Sequence, residues 1–438
     1  MTLAARLVPV AYRTSLAEPA FRRLLSGLVV SHLGDGMSVV VIAWLALRIA
    51  PPDRAGLVVG AAVAAYTLPA AAGALLLARW LSRIPARRLV VANSLLRAGA
   101  LGAVVLLHLL GQLTAGRYVA LLALSSLLAA WGIAGTYTLI SEIFPAERRL
   151  PANALVGTSQ QAAFVAGPAL AGLLIAAVHP ALVLGLDAAS YLLLAVQAGR
   201  PGPPATASHT AAAHPASGRA AGSGFRILAR RPELVGLIAV TAVFYFLYGP
   251  VEVALPLYVA DELTGAAGLL GGYWTVFGIG SVVGGLLGGM LTRARQWPVT
   301  IAVIAGWGLI LVPFGLDAPV GITMACFAVG GLVYGPFPAF SLALFQNAAD
   351  PADLPAVLAA RGAVTTAATP LGAALGGSLV AGLGAAGTLL ASGLGTVGLA
   401  LLIAGTLLLH ARHRHTGGCL RCPAPTRSPP TAARTGPH

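Results

Sequence analysis

The chain has 438 residues, of which 58% are hydrophobic and 9% charged, with a formal net charge of +14. Soluble domains carry about 25% charged residues, so this composition excludes a water-soluble globular protein. In a soluble protein the net charge would suggest a nucleic-acid partner. In a chain this apolar, we interpret the arginines as topology signals and contacts for anionic membrane lipid, and we expect no nucleic-acid partner.

Apolar segments long enough to cross a bilayer follow one another along almost the whole chain. A helical crossing of the hydrocarbon core needs roughly 20 residues. The pattern predicts an all-α membrane protein with twelve transmembrane helices, here called spans one to twelve. Their predicted ranges are 24–47, 56–78, 89–111, 118–140, 153–178, 180–197, 233–258, 268–291, 298–316, 319–345, 356–382 and 386–410.

Five regions follow from these spans. They are a cytoplasmic N-terminal segment (1–23), an N-terminal six-helix half (24–197), a cytoplasmic linker (198–232), a C-terminal six-helix half (233–410) and a disordered cytoplasmic tail (411–438). The linker is rich in Pro, Ala, Ser and Gly, a composition typical of flexible connections. A tight glycine-rich turn is expected between the last two spans.

Most of the 27 basic residues, all arginines, gather at the amino end, after every second span and in the tail. Positive residues stay on the cytoplasmic side of a membrane. The pattern therefore predicts a multi-pass protein of the inner (plasma) membrane with both termini in the cytoplasm. An even number of spans agrees with that topology.

The two halves echo each other about 200 residues apart. Span five contains residues 166–172 (AGPALAG) and span eleven contains residues 368–374 (ATPLGAA), with Pro168 and Pro370 interpreted as occupying the same place in their halves. Two repeated six-helix halves are the plan of a rocking transporter whose binding site lies between the halves near the bilayer midplane.

Four segments carry a family likeness: residues 31–36 (SHLGDG) in span one, 147–155 (ERRLPANAL) before span five, Gly167-Pro168 with Gly172 in span five, and 224–232 (GFRILARRP) before span seven. Over about residues 20–410 the chain resembles the major facilitator superfamily. More narrowly, it resembles the twelve-span proton-coupled drug exporters of the macrolide-efflux and siderophore-exporter type. The resemblance implies the pseudo-symmetric twelve-helix fold and ties the Gly-Pro element of span five to antiport.

The loop after span two departs from the superfamily pattern. The family's Gly-x-x-x-Asp-Arg is replaced by a segment with Ala78 and Ser82, while Arg83, Arg87 and Arg88 remain as gating residues. In the family the aspartate belongs to a charge lock that stabilises the outward-facing state. Near the end of span four, Glu142 and Glu147 are candidate substitutes as partners for these arginines.

Charges in the hydrocarbon region cost about 2.5–3.5 kcal/mol on insertion scales and therefore suggest function. Asp35 in span one is the favoured proton-coupling residue, with His32 one turn away on the same helical face as a possible relay. The alternative is that Asp35 only bonds to a neighbouring helix. Glu252 in span seven, between two prolines, is the second coupling or cation-binding candidate and is expected to face Asp35 across the cavity. Otherwise, Glu252 lies at the outer end in water.

Two further charges predict contacts between helices. Arg97 in span three needs an anionic partner, and the candidates are Asp35 and Glu142. A structural pair is favoured over a substrate contact. For Asp187 in span six, a polar contact between helices is favoured over proton coupling.

No enzyme motif is found, and the absence of lysine excludes a P-loop ATPase. Cys419 and Cys422 follow three histidines in the tail, but the disordered interpretation is favoured, so neither a metal nor a cofactor is expected. The function predicted is secondary active export of a small amphipathic compound by proton antiport, with lipids as surroundings and a monomer as the working form. The alternatives are export of an endogenous metabolite such as a siderophore, or a non-transporting membrane receptor with the same fold.

Overall fold

The computed structural model describes residues 10–81, 83–200, 218–290, 296–350 and 353–418, and its described part is nearly all helical. Ser82, Cys419 and Cys422 of the sequence analysis lie outside these residues, as does the side chain of Glu147. In the N-terminal half the helices are Val10–Ala17, Pro19–Ile49, Ala55–Leu76, Ala78–Leu81, Ala86–Leu109, Ala115–Ser126, Ala129–Ile143, Ala146–Ala177 and Pro180–Gly199. From the linker onward they are Gly218–Arg230, Pro232–Leu257, Ala267–Met290, Gln296–Ile310, Val320–Tyr334, Phe337–Ala348 and Leu354–Gly418.

Eleven stretches of this described chain are long and apolar enough to cross a membrane, and the last of them, Ala356–Leu409, has 54 residues. That stretch contains two helices, because Gly384 has φ 73° and ψ 176° and is not helical. Thr369 and Ser392, on either side of Gly384, both donate hydrogen bonds to carbonyl oxygens of span seven. In one straight helix they would be about 35 Å apart. The chain therefore turns back at Gly384 and forms spans eleven and twelve, as predicted.

Spans four and ten are each broken near their centre. Span four consists of Ala115–Ser126 and Ala129–Ile143, and span ten of Val320–Tyr334 and Phe337–Ala348. Beside the first break, the indole of Trp131 donates a 3.0 Å hydrogen bond to the carbonyl oxygen of Gly73 in span two. Matching breaks in the two halves indicate that the repeat extends to local helix geometry.

Close helix packing inside each half depends on pairs of glycines. A Cβ at Gly36 in span one would overlap the carbonyl oxygen of Ala163 in span five, and a Cβ at Gly167 would overlap Gly36. In the second half, a Cβ at Gly249 in span seven would overlap span eleven beside Gly372. Without a hydrophobic effect between lipid-immersed helices, such small residues permit the backbone contacts that hold the helices together.

The two halves touch each other through a second set of glycines. Gly56 in span two packs against Gly377 in span eleven, and Gly268 in span eight packs against Gly172 in span five. Gly56 and Gly268 both lie in the first turns of their helices, at the end of the bundle opposite to the arginine-rich loops. These contacts therefore close the bundle at the end away from its arginines.

The same contacts correct the register predicted between spans five and eleven. Gly60 packs against the carbonyl oxygen of Ala373, and its counterpart Gly271 packs against the carbonyl oxygen of Pro168. Ala373 is therefore the structural equivalent of Pro168, and the prediction that Pro370 occupies that place is wrong by three residues. Two prolines in similar apolar surroundings do not define a helix register, whereas close glycine contacts do.

Helical structure extends beyond the predicted spans on the arginine-rich side. A linker helix, Gly218–Arg230, occupies the second part of the predicted linker, and its Leu228 is buried with Phe345 and Val357 of the C-terminal half. Arg231, directly after it, forms an ion pair with Asp350 and lies 3.8 Å from Asp353. The hydrogen bond and charge of Arg231 hold the pKa of Asp350 below its ordinary value.

Both ends of the chain also depart from the predicted bounds. Span one begins at Pro19, with Glu18 as its N-cap, because proline is well suited to the first helical position. The helix of span twelve continues to Gly418, into the segment predicted as a disordered tail. Ala411, Arg412 and Arg414, which directly follow the apolar segment, are good helix formers, whereas Gly417 and Gly418 at the end of the helix are not.

Large apolar side chains cover the outside of the helices. The exposed ones include Leu106, Leu173, Leu286, Leu401 and Leu408, each at least half exposed. Continuous exposed apolar surface of this kind is stable in a lipid environment and unfavourable in water. The chain is therefore a multi-pass membrane protein.

Candidate functional site

A cleft lies within the N-terminal half and is formed by spans one, three, four, five and six. Every lining residue lies between the middle of its helix and the arginine-rich end, so the cleft approaches the midplane from that side. Its polar lining comprises Ser31, His32, Asp35, Asn93, Arg97, Thr136, Tyr137, Gln160 and Tyr191. The cleft therefore combines apolar walls with charged and hydrogen-bonding groups near the midplane.

Asp35 is the most heavily bonded side chain of this cleft. Its Oδ1 accepts hydrogen bonds from the hydroxyls of Tyr66 at 3.0 Å and Tyr191 at 2.6 Å. The same oxygen lies 3.4 Å from the guanidinium of Arg97. The Asp35 side chain is 35% exposed and that of Arg97 is 11% exposed. The carboxylate is therefore open to the cleft, while its cation also lines the cleft but is mostly buried.

Arg97 lies between two aromatic rings. Its guanidinium is 5.0 Å from the ring centre of Tyr66 and 4.6 Å from that of Tyr191. Both distances are in the range of cation–π attraction. Of the two partners expected for Arg97, the structure selects Asp35. Glu142, predicted as a buried charge, is instead exposed and lies within electrostatic range of Arg87.

Asp187 is buried behind the same cluster, with only 1% of its surface exposed. Its Oδ2 accepts a 2.6 Å hydrogen bond from Ser38 of span one, and its Oδ1 accepts one of 3.3 Å from Ser190. Gly34 makes room for it, since a Cβ there would overlap the Asp187 carboxylate. The structure thus places Asp187 at a polar contact between spans one and six.

His32 lies in the cleft one turn from Asp35, as predicted, but bonds elsewhere. Its Nδ1 is 2.7 Å from the hydroxyl oxygen of Ser159 in span five. Because the Ser159 hydroxyl already donates to the carbonyl oxygen of Val156, Nδ1 is the donor in this bond. His32 therefore links spans one and five beside the carboxylate.

Glu252 lies in the C-terminal half and is partly exposed, within electrostatic range of Tyr248 and Tyr334. Among the described residues it makes no ion pair, and the structure does not bring it together with Asp35. Glu252 does not line the cleft that contains Asp35, and the expectation that the two carboxylates face each other across a cavity stays a prediction. The equivalence of Gly36 and Gly249 puts Tyr248 at the place of Asp35, and Glu252 one turn further toward the end of the bundle away from the arginine-rich loops.

The predicted motif residues occupy the frame of the site. Gly167, Pro168 and Gly172 contact spans one and eight through their backbones. Arg83 and Arg88 are exposed at the arginine-rich end, and Arg87 donates a hydrogen bond to the carbonyl oxygen of Arg200 after span six. The described residues contain no group of three or more side chains suited to a metal ion.

Sequence reasoning missed several members of the cluster. Tyr191, Ser38 and Ser190 were not singled out, although Tyr191 and Ser190 lie within one turn of Asp187 and Ser38 lies three residues after Asp35. Helical spacing from each buried charge would have pointed to them.

Two repeated six-helix halves are the plan of a class of membrane transporters, and here the first half contains a cleft that reaches the midplane. Within that class, the sequence profile described as Major Facilitator Superfamily matches residues 24–349, which is most of the chain. The chain therefore belongs to the Major Facilitator Superfamily, the family that its sequence motifs resemble.

Curated relatives include transporters and efflux pumps. The chain is 29% identical over 383 residues to the uncharacterized MFS-type transporter y4rN of Sinorhizobium fredii, covering 85% of this chain and 91% of the relative. It is 29% identical over 397 residues to the multidrug efflux pump Tap of Mycobacterium tuberculosis, with coverage of 86% and 91%. It is also 24% identical over 216 residues to macrolide efflux protein A of Streptococcus pyogenes, with coverage of 49% and 53%.

Solved structures share the fold at low sequence identity. The nucleoside transporter NupG matches with a TM-score of 0.71 and 13% identity, covering 89% of this chain and 99% of that one. An inward-facing, unoccupied bacterial homolog of the human lysosomal transporter Spinster matches with a TM-score of 0.66 and 12% identity, covering 92% and 98%. These similarities establish the transporter fold.

Proposed function

We propose that this protein exports small amphipathic compounds, such as drugs or antibiotics, across the inner membrane by proton antiport. It works as a monomer with both termini in the cytoplasm. Membership of a transporter family and similarity to two kinds of efflux protein support the direction of transport. The observation that carries the proposal is the ion pair of Asp35 and Arg97 at the closed end of the cleft, 3.4 Å apart.

The position of the arginines supports an inward-facing arrangement. Positive loops stay in the cytoplasm, so the cleft opens toward the cytoplasm and the glycine contacts of Gly56 and Gly268 close the outer side. A compound enters the cleft from the cytoplasm or the inner leaflet. Separation of these outer contacts, with closure of the arginine-rich end, then exposes the compound to the outside.

Proton binding at Asp35 drives the return step. A charge buried near the midplane is costly unless it is paired. Protonation removes the carboxylate charge that holds Arg97, and so changes the attraction between spans one and three. The proton shifts the equilibrium between inward-open and outward-open states because it binds these states unequally. Glu252 contributes to the affinity for cationic compounds from the opposite half.

The test is accumulation of a fluorescent cationic dye in everted membrane vesicles under an imposed proton gradient, with dye binding measured in parallel. We expect Asp35→Asn to bind dye and lose gradient-driven accumulation. We expect Glu252→Gln to bind dye more weakly while remaining coupled. Asp53→Asn is the matched control, since Asp53 is 71% exposed and pairs with its neighbour Arg54, and it should behave as the wild type.

Two outcomes would contradict this assignment. Gradient-driven accumulation by Asp35→Asn equal to the wild type would show that Asp35 is structural. Dye binding by the wild type with no flux under any gradient would instead support a non-transporting receptor.

A further inference from the structure

The charged cluster of the N-terminal half contains two carboxylates and one cation. Asp35 faces the cleft, Asp187 is buried behind it, and Arg97 on span three is within electrostatic range of both. These residues come from three different helices. The other titratable side chains that face the cluster are those of Tyr66, Tyr191 and His32.

Arg97 is placed to interact with both carboxylates. It is 3.4 Å from Asp35, and it lies 4.6 Å from the ring centre of Tyr191, which is one helical turn from Asp187 on span six. Asp187 is within electrostatic range of Arg97 as well as of Asp35. Among the described residues, the buried Nε of Arg97 has no hydrogen-bond partner. Asp35 therefore does not use all the donors of this guanidinium.

The charge balance of the cluster depends on the second carboxylate. With both carboxylates ionised, the three side chains carry one net negative charge. One proton added to Asp35 brings the sum to zero, provided that Asp187 keeps its charge. If Asp187 were absent, the same proton would leave an uncompensated buried guanidinium, which is strongly unfavourable.

We propose that Asp187 is the second partner of Arg97, and that Arg97 moves its ion pair from Asp35 to Asp187 when Asp35 takes up a proton from water in the cleft. The proton adds to the Asp35 carboxylate, the Asp35–Arg97 ion pair breaks, and the guanidinium keeps its own protons. Asp187 is then a positioning residue that acts through Arg97. Before the movement the ion pair attracts span three to span one, and after it the ion pair attracts span three to span six. The coupling of this movement to transport rests on the function proposed for Asp35.

The shared arginine is tested by a double-mutant cycle on the purified full-length protein in detergent at neutral pH. Asp35→Asn and Asp187→Asn each leave Arg97 with one carboxylate, so each should lower the melting temperature moderately. The double variant leaves it with none. We expect a loss for the double variant larger than the sum of the two single losses, because contacting residues of one network do not act additively.

Removal of the arginine separates this explanation from a simple loss of hydrogen bonds. Adding Arg97→Gln to the double variant removes the unpaired charge, so the triple variant should melt at a higher temperature, or give a higher folded yield, than the double variant. Additive single losses, or a triple variant no more stable and no better produced than the double variant, would refute the shared arginine. Combining Asp35→Asn with Ser392→Ala is the matched control. The hydroxyl of Ser392 donates a hydrogen bond to span seven, in a position that corresponds to the contact of Asp187 with span one. The stability losses of Asp35→Asn and Ser392→Ala should therefore add up in the combined variant.

A transport measurement tests the coupling step separately. The Asp187→Asn variant should still bind dye and still catalyse dye counterflow in the absence of a gradient. Its gradient-driven dye accumulation should be at least tenfold lower than that of the wild type. Asp187→Glu, which keeps the charge, should restore part of it. If Asp187→Asn accumulates dye as the wild type does, the coupling role is wrong. If the wild type itself shows no gradient-driven flux, the proposed function fails while the stability cycle still decides whether Arg97 is shared.

Discussion

The regions around Asp35 in the first half and Tyr248 in the second half, here called the two centres, share the same close helix packing but differ in the chemistry of their side chains. In the first half Asp35 precedes Gly36, which packs against span five, and in the second half Tyr248 precedes Gly249, which packs against span eleven. Asp35 contacts Tyr66 and Arg97. Tyr248 instead lies 6.5 Å from the ring of Phe277 and 5.5 Å from that of Trp307.

This difference separates what the fold requires from what the function requires. The glycine contacts recur in both halves because two helices can approach closely only where no side chain intervenes. Among the described residues the Asp35–Arg97 ion pair has no counterpart in the second half, where aromatic rings surround Tyr248 and Glu252 is the nearby carboxylate. We therefore expect stability to depend on both halves and proton coupling to depend on the first.

The largest effect is expected when the cation of the first centre is removed. Arg97→Met leaves the carboxylates of Asp35 and Asp187 without a cation and should lower the free energy of unfolding by about 3–5 kcal/mol. It should also abolish gradient-driven dye accumulation. Trp307→Phe at the second centre removes packing and should cost about 1–3 kcal/mol, with flux retained. For both variants, thermal unfolding in detergent measures stability and dye accumulation in vesicles measures coupling. Loss of gradient-driven accumulation in Trp307→Phe would show that coupling does not depend on the first half alone.

The shared frame is tested by adding one methyl group at equivalent places. Gly36→Ala and Gly249→Ala should each lower the free energy of unfolding by about 1–3 kcal/mol, because a Cβ at either position overlaps a neighbouring backbone. At Gly99 a Cβ would meet nothing within 4 Å. Gly99→Ala should therefore be neutral or stabilising by up to about 1 kcal/mol. A harmless Gly249→Ala would show that the halves do not share this constraint.

The smallest effect concerns the connection between spans five and six, at the end of the bundle away from the arginine-rich loops, where the rings of His108 and His179 stack with their centres 3.8 Å apart. Burial, followed by the nearby His108 and Arg48, lowers the pKa of His179 from its ordinary value of 6.5. The unfolded chain then binds more protons than the folded one just below pH 6.5, so stability is full above that pH and decreases as the pH falls.

His179→Asn isolates this titration. Asparagine keeps the N-cap that His179 Nδ1 provides to Ala181, but does not titrate. The fall in melting temperature between pH 8 and pH 5.5 should be smaller in the variant. The change should correspond to under about 1 kcal/mol, because solvent screens this partly exposed group. An unchanged pH dependence would show that His179 is not responsible.

Much of the architecture was predictable because it depends on local properties. The length of an apolar segment sets a membrane span, and the glycine-rich stretch around Gly384 indicated the turn between spans eleven and twelve. In the site, Asp35 and Arg97 were identified individually because a buried charge is conspicuous in an apolar segment. Tyr191, Ser38 and Ser190 were not, because tyrosine and serine are common in membrane helices for other reasons.

The sequence by itself determined the spans, their pairing into two halves and the family, since these follow from hydropathy, arginine placement and short motifs. Only the tertiary structure decided that Arg97 pairs with Asp35 rather than Glu142, that Asp187 lies behind the same cluster, and that Glu252 belongs to a separate aromatic centre. The physical reason is that such pairings depend on how each helix is rotated about its axis and in which register it crosses its neighbours. In this protein those rotations and registers are set by glycine contacts between segments far apart in the chain.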